Sequence, residues 1–271
     1  MVQNVRVRRL LIVLVATVTS LLVAAVGVDF GGAIYAEYRW SRVLRAANGL
    51  TADPWVGILG FPFATQAADR RFREVEVRAS GVDHPVVGTT SLEATLHTVS
   101  VPESSWLITA GESLGVGKVE SRIIVDSTHL GRYMGIDDLL VEAPSRETND
   151  ATGGTTESGI SDSRGLVFTG TPSASGFDEK VSIAVDLTIV GADRTTVVLT
   201  PTGVLTGPNT ADQEVPDDVL PAVLAAFTTT LPGMKLPFGI APTSGGARGS
   251  DVIVEGIAEG VSVPVDGFRQ S

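Results

Sequence analysis

The chain has 271 residues, with 20 Lys plus Arg against 31 Asp plus Glu, three His and no Cys. That length suits one large domain or two small ones and buries a sizeable core without covalent staples. The lack of cysteine excludes a disulfide framework, a thiol nucleophile, a cysteine zinc site and a lipid-modified cysteine. A net charge of −11 and a pI near 4.7 argue against nucleic acid, because phosphate binding needs clustered positive charge. Mean hydropathy is nevertheless +0.25. An acidic chain this apolar carries a membrane segment, a large apolar surface, or both.

The membrane segment is at the start. Arg6, Arg8 and Arg9 precede a run from Leu10 to Val28 that is interrupted only by Thr17, Thr19, Ser20 and Gly27. About 20 apolar residues span a bilayer, and positive flanks stay cytoplasmic. The run reads equally as an uncleaved anchor or a signal peptide, with mediocre small-residue cleavage sites at Ala24–Gly27 and Ala33–Ala36. Residues 1–32 are therefore a signal peptide or transmembrane anchor, and residues 33–271 are exported. Beyond the three arginines, 17 bases face all 31 acids, a charge of −14.

Ile34 to Asn48 reads as a separate helix, with Ile34, Tyr38, Val43, Leu44 and Ala47 at helical spacing and Arg39, Arg42 and Arg45 on a polar stripe. Asn48-Gly49 is its stop. This helix either lies on anionic headgroups or packs on the core with a solvated face. The period then switches to two at Phe72–Ala79, Leu92–Leu96, Val119–Val125, Leu166–Phe168, Val181–Ile189, Thr195–Leu199 and Val252–Val263. These are half-buried strands with Gly, Pro and Asp between them. Asp126-Ser127-Thr128 caps a short helix that ends at Met134-Gly135, and Val215-Pro216-Asp217-Asp218 opens another running to Leu231. Helices and strands do not alternate regularly, so the class is α+β with a dominant antiparallel sheet. Between Glu142 and Gly165 almost nothing is apolar, which predicts a flexible polar loop near 142–165.

Catalytic patterns are weak. Gly111-Glu112-Ser113-Leu114-Gly115 matches the nucleophile elbow, but that motif needs a strand before the serine and a helix after it. Here Pro102–Trp106 reads as a turn into a short helix, and a strand follows the glycines. His84, His97 and His129 lack metal-ligand spacing and read as surface residues. The acid pairs Asp137-Asp138 and Asp217-Asp218 sit where a helix start wants them. No catalytic residue, metal site or cofactor emerges.

The most distinctive stretch is Asp53-Pro54-Trp55-Val56-Gly57-Ile58-Leu59-Gly60-Phe61-Pro62-Phe63-Ala64-Thr65-Gln66. It resembles the P-x-V-x-I-x-G-F-P-F-L-T-Q signature of an exported actinobacterial and cyanobacterial family, the LmeA-like proteins, with Ala64 in place of the usual Leu. Leu231-Pro232-Gly233-Met234-Lys235-Leu236-Pro237 is similar to that family's closing L-P-x-x-x-L segment. The likeness covers most of residues 30–265. It implies a fold akin to tubular lipid-binding proteins: a curved antiparallel sheet wrapped around a helix with an apolar groove or tube, preceded by one N-terminal apolar helix. It further implies that residues 33–271 are a single lipid-binding domain. The implied ligand is a phospholipid, with phosphatidylinositol and its mannosides favoured. The implied role is support of lipomannan and lipoglycan chain elongation in the cell envelope, at the cytoplasmic membrane, with envelope mannosyltransferases as partners. A lipid-free scaffold for envelope glycosyltransferases, or a hydrolase, are the alternatives.

Within the signature, Trp55, Ile58, Phe61 and Phe63 are interrupted by Gly57, Gly60 and Pro62, so the segment reads as an edge or a loop. Its apolar groups are tucked under the sheet or line the mouth of a lipid site. Arg70, Arg71 and Arg73 follow, either as a solvated turn or facing an anionic headgroup. In the Val181–Ile189 strand, Ile183 is a further lipid candidate with no side assigned to it. If part of that apolar face is left uncovered by protein, an acyl chain is its natural filler.

Overall fold

The computed structural model describes residues 2–102, 105–144 and 165–270, with side chains from Leu11 onward. The polar stretch expected to be a loop falls largely outside the described residues. The elements in chain order are α1 (Val2–Asn48), β1 (Trp55–Leu59), α2 (Phe63–Asp69), β2 (Arg71–His84), β3 (Gly88–Ser100), β4 (Ser113–Asp126) and α3 (Ser127–Met134). There follow β5 (Leu140–Glu142), β6 (Gly165–Gly170), β7 (Val181–Val190), β8 (Thr196–Leu205), α4 (Leu220–Ala226), β9 (Thr229–Leu231), β10 (Ser244–Arg248) and β11 (Asp251–Pro264). The fold is α+β: one long apolar N-terminal helix and two curled antiparallel sheets. Their orders are β1-β2-β3-β4-β11-β10 and β5-β6-β7-β8-β9.

The two N-terminal helices expected from the sequence are one. Gly27, Gly31 and Gly32 each cost a helix only about 1 kcal/mol relative to alanine, and no proline intervenes. Gly32 has a packing reason, since a Cβ there would lie 3.2 Å from the Phe63 ring. The C-terminal half of α1 is fastened to the edge strand β1. Glu37 accepts the Ile58 N–H at 2.9 Å, and the Ser41 hydroxyl donates to Pro54 O at 2.6 Å. Ala36, Trp40 and Leu44 are buried beneath, with the Trp40 ring edge-on to Phe72 at 5.3 Å. The helix thus covers an edge that would otherwise offer unpaired amides.

The six-stranded sheet bends along one line. Leu92, Ala94 and Leu96 of β3 face the core, and after Thr98 the inward residue is Val99, an odd position instead of an even one. The same change occurs in β4 between Val119 and Val116, and in β11 between Val254 and Val263. The register sets Thr98, Gly117 and Gly260 side by side at this level. Thr98 and Gly260 have positive φ, 53° and 60°. The registers do not shift there, so the strands kink together at one level and the whole sheet curls.

Three expectations need correction. The fourth helix starts at Leu220, not near Pro216, because Pro221 is tolerated only in a first turn. Pro216–Asp218 is the turn before it, and β9 occupies the end of the expected helix. Neither acid pair begins a helix: Asp138 instead accepts from the Thr171 N–H at 2.7 Å and meets Lys180 at 3.0 Å. Residues 105–112 form turns up to the start of β4 at Ser113 and include no helix.

Candidate lipid-binding site

The signature residues are placed apart from one another. Trp55 and Ile58 lie on opposite faces of β1. Trp55 is 52% exposed and lies over Gly57, with the Arg78 guanidinium 4.9 Å from its ring. Ile58 is buried toward the core. Phe61 is exposed and stacks on Phe30 of α1 at 6.2 Å, whereas Phe63 is buried against Phe72 and Trp106. Arg70 closes α2 in the left-handed conformation, φ 52°, and Arg71 and Arg73 are exposed at the start of β2. Ile183 is fully buried with Val181, Val185 and Leu187. That face of β7 is covered by protein: Leu187 reaches so close to β10 that a Cβ on Gly245 would lie 2.7 Å from it. Among the described residues this inward face leaves no acyl-sized space; a shallower cleft of about 310 Å3 lies between β6 and β7, lined by Leu166, Val167, Ala184 and Leu205.

A larger apolar space lies elsewhere. A cavity of about 410 Å3 is lined by Leu236, Phe238, Ile240, Pro242 and Pro264, together with the cationic Lys235 and Arg269. Its size is at the small end of ligand pockets, room for one acyl chain rather than a whole two-tailed lipid. Lys235 and Leu236 belong to the closing segment that sequence reading singled out; Phe238 and Arg269 carried no signal. Phe238 has φ 61° and ψ 15°, a conformation disfavoured for a bulky side chain, and its ring packs on Phe268 at 5.5 Å. Such strain, costing about 1–3 kcal/mol, persists where surrounding structure enforces it and concentrates at functional sites. Asp193 at the border is held below the usual carboxylate range by hydrogen bonds from Thr195, with Lys235 adding to the effect.

A second cleft, about 480 Å3, crosses the outer face of the six-stranded sheet and is lined by charge. Arg122 lies between Glu120 and the fully buried Glu255, 2.6 Å from the latter. Burial would raise the Glu120 pKa, but a hydrogen bond from Lys118 and the Arg122 guanidinium bring it below the ordinary value. Arg248 grips Glu93 with two bonds of 2.9 and 3.0 Å. These groups satisfy one another and offer nothing to an acyl chain.

The remaining candidates resolve as follows. Ser113 opens β4 with turns before it and no helix after, so the elbow geometry is absent. His84 is buried, not a surface residue. Its Nδ1 accepts the Val86 and Val87 amides at 3.2 and 3.4 Å, so the proton sits on Nε2, 3.1 Å from Gly233 O. Among the described residues no group of acidic and histidine side chains could hold a metal ion.

No curated protein and no solved structure matches the chain. The profile of a family described as LmeA-like phospholipid-binding matches residues 27–257, a stretch that starts in α1, includes the signature and the Leu231–Pro237 segment, and ends in β11. The chain therefore belongs to the LmeA-like phospholipid-binding family.

Proposed function

We propose that this protein is an exported phospholipid-binding protein, anchored on the outer face of the cytoplasmic membrane. It takes phosphoinositide-class lipids and supports lipomannan and lipoglycan elongation beside envelope mannosyltransferases. The observation that carries the reading is the cavity of a phospholipid-binding family member: an apolar wall of Leu236, Phe238 and Ile240 bordered by Lys235 and Arg269. An acyl chain gains from leaving water against such a wall, and a phosphate gains from the two cations. Of the signature residues, the exposed Trp55 and Phe61, with Arg70 and Arg71 after them, guide the lipid's entry, while the buried Ile58 and Phe63 hold the segment to the core.

Uptake of a fluorescent phosphatidylinositol by the full chain tests this. Ala241→Trp places a ring in the cavity from an exposed position and should abolish uptake while the fold survives. Lys235→Glu with Arg269→Glu should reduce preference for anionic over zwitterionic lipid. Unchanged uptake in Ala241→Trp would remove the cavity from the account. A lipid-free scaffold is the second reading, favoured by the closed core along β7.

A further inference from the structure

We infer that the rim of the domain next to the anchor is a membrane-contact surface, seated in the headgroup layer of the bilayer that α1 crosses. Phe30, Ile34 and Phe61 form its apolar part, and Arg70, Arg71 and Arg73 its cationic part. The inference rests on α1 being a retained anchor and is independent of which lipid the cavity takes.

Helix geometry sets the height. The run Leu10–Val28 is about 28 Å long at 1.5 Å per residue, close to a hydrocarbon thickness of about 30 Å. The next residue is Asp29. Its carboxylate is buried and accepts two amides of α2, Phe63 N–H at 2.8 Å and Ala64 N–H at 2.7 Å. Pro62 supplies no side-chain cap, so these bonds are what satisfies the start of α2. Because α1 passes from the span into the domain without a break, α2 is held at the level where the span ends.

What lies at that level suits an interface. Phe30 and Phe61 are 57% and 55% exposed and stack on each other, one from the anchor helix and one from the signature loop. Ile34 follows one turn later, also exposed. Phenylalanine and aliphatic side chains beside a basic face leave water by entering the boundary between headgroups and acyl chains. Charge agrees. The exported part carries −14 and is repelled by anionic lipid as a whole, yet Arg70, Arg71 and Arg73 are clustered directly after α2, with Arg71 and Arg73 exposed. Basic residues beside a membrane segment attract anionic headgroups within a Debye length. The opposite end of the molecule is far away. Arg71 pairs with Ser100 and Ser100 with Gly115, while α3 follows Asp126, eleven residues or about 37 Å further along β4.

The chain has no cysteine, so single-cysteine variants of the full protein report one place each. An environment-sensitive fluorophore is attached to Val18→Cys in the span, Ala64→Cys at the rim and Arg132→Cys on α3, with Thr65→Cys as a second rim site. The protein is reconstituted into vesicles of phosphatidylcholine with phosphatidylglycerol, with and without a spin-labelled quencher lipid. Both rim labels should emit to the blue of the α3 label and lose most of their intensity to the quencher, as Val18→Cys does. Combining Arg70→Glu, Arg71→Glu and Arg73→Glu should reduce that quenching at the rim and leave Val18→Cys unchanged. Rim labels that match Arg132→Cys while Val18→Cys is quenched would overturn the contact surface and leave the anchor standing. An unquenched Val18→Cys would overturn both, without touching the separate lipid-uptake measurement.

Discussion

At the scale of single residues, His84 gives the most direct pH consequence. Burial lowers its pKa from 6.5, against a smaller upward push from the Gly233 carbonyl. Protonation would also place a hydrogen on Nδ1, where two backbone amides already donate. A histidine with a depressed folded pKa stabilises the fold above its unfolded value, and that contribution is lost as pH falls from 6.5 through the folded value. The melting temperature should therefore drop between pH 7 and pH 5, and the slope should flatten in His84→Gln. An equally steep slope in the variant would assign the effect to other groups. Asp29 makes a second case. Asp29→Ala removes the acceptor of two α2 amides and should cost about 1–2 kcal/mol in a denaturant titration, as loss of a cap does. Ser113→Ala, in contrast, should leave function in cells intact, because the strand it opens provides neither turn nor oxyanion site.

At the scale of elements, the bend across β3, β4 and β11 is the feature most open to mutation. A Cβ on Gly117 would lie 3.1 Å from the Thr98 Cβ and 3.4 Å from His97 O. Gly117→Val should overpack this row and cost about 1–3 kcal/mol by thermal unfolding, whereas a neutral result would place the bend's origin elsewhere. The strands themselves were legible in the sequence, since apolar residues alternate with charged ones over Phe72–Ala79 and with small or polar ones over Val181–Ile189. Asp126 and Gly135 likewise announced α3, and the structure has Asp126 accepting from Thr128 and Gly135 at φ 75°. What remained hidden depends on tertiary partners. The continuity of α1 through Gly31 and Gly32 was not legible because Phe63, the group that needs Gly32 small, is 31 residues away in sequence. Trp55–Leu59 reads as an edge or a loop by its glycines, and of the two it is an edge strand, paired with β2 on one side and bonded to Glu37 on the other. The cavity was half legible. Its closing segment stood out as a pattern, but Phe238 is turned into it by a left-handed backbone that no motif announces, and Arg269 joins it only through the return of the chain after β11.

At the scale of the whole molecule, the proposed anchoring sets a topology. The span and the positive residues before it fix a single orientation, so a reporter active only in the cytoplasm and fused after Ser271 should be silent. An active fusion would reverse the topology. In the proposed anchoring, α1 and Asp29 hold α2 at the membrane, and lipid would be drawn from the leaflet beneath the domain. That geometry suits a protein that presents lipid to envelope enzymes, and the acidity of the remaining surface keeps it from adhering elsewhere to anionic headgroups. The central claim is that this chain binds phospholipid. Its most direct test is mass spectrometry of the full chain purified from membranes and held intact in the gas phase. The account predicts a population carrying one phospholipid, enriched in phosphoinositide-class species relative to the membrane and absent in Ala241→Trp. A protein that emerges free of lipid under conditions where a control lipid carrier retains its cargo would contradict it and leave the scaffold reading in its place.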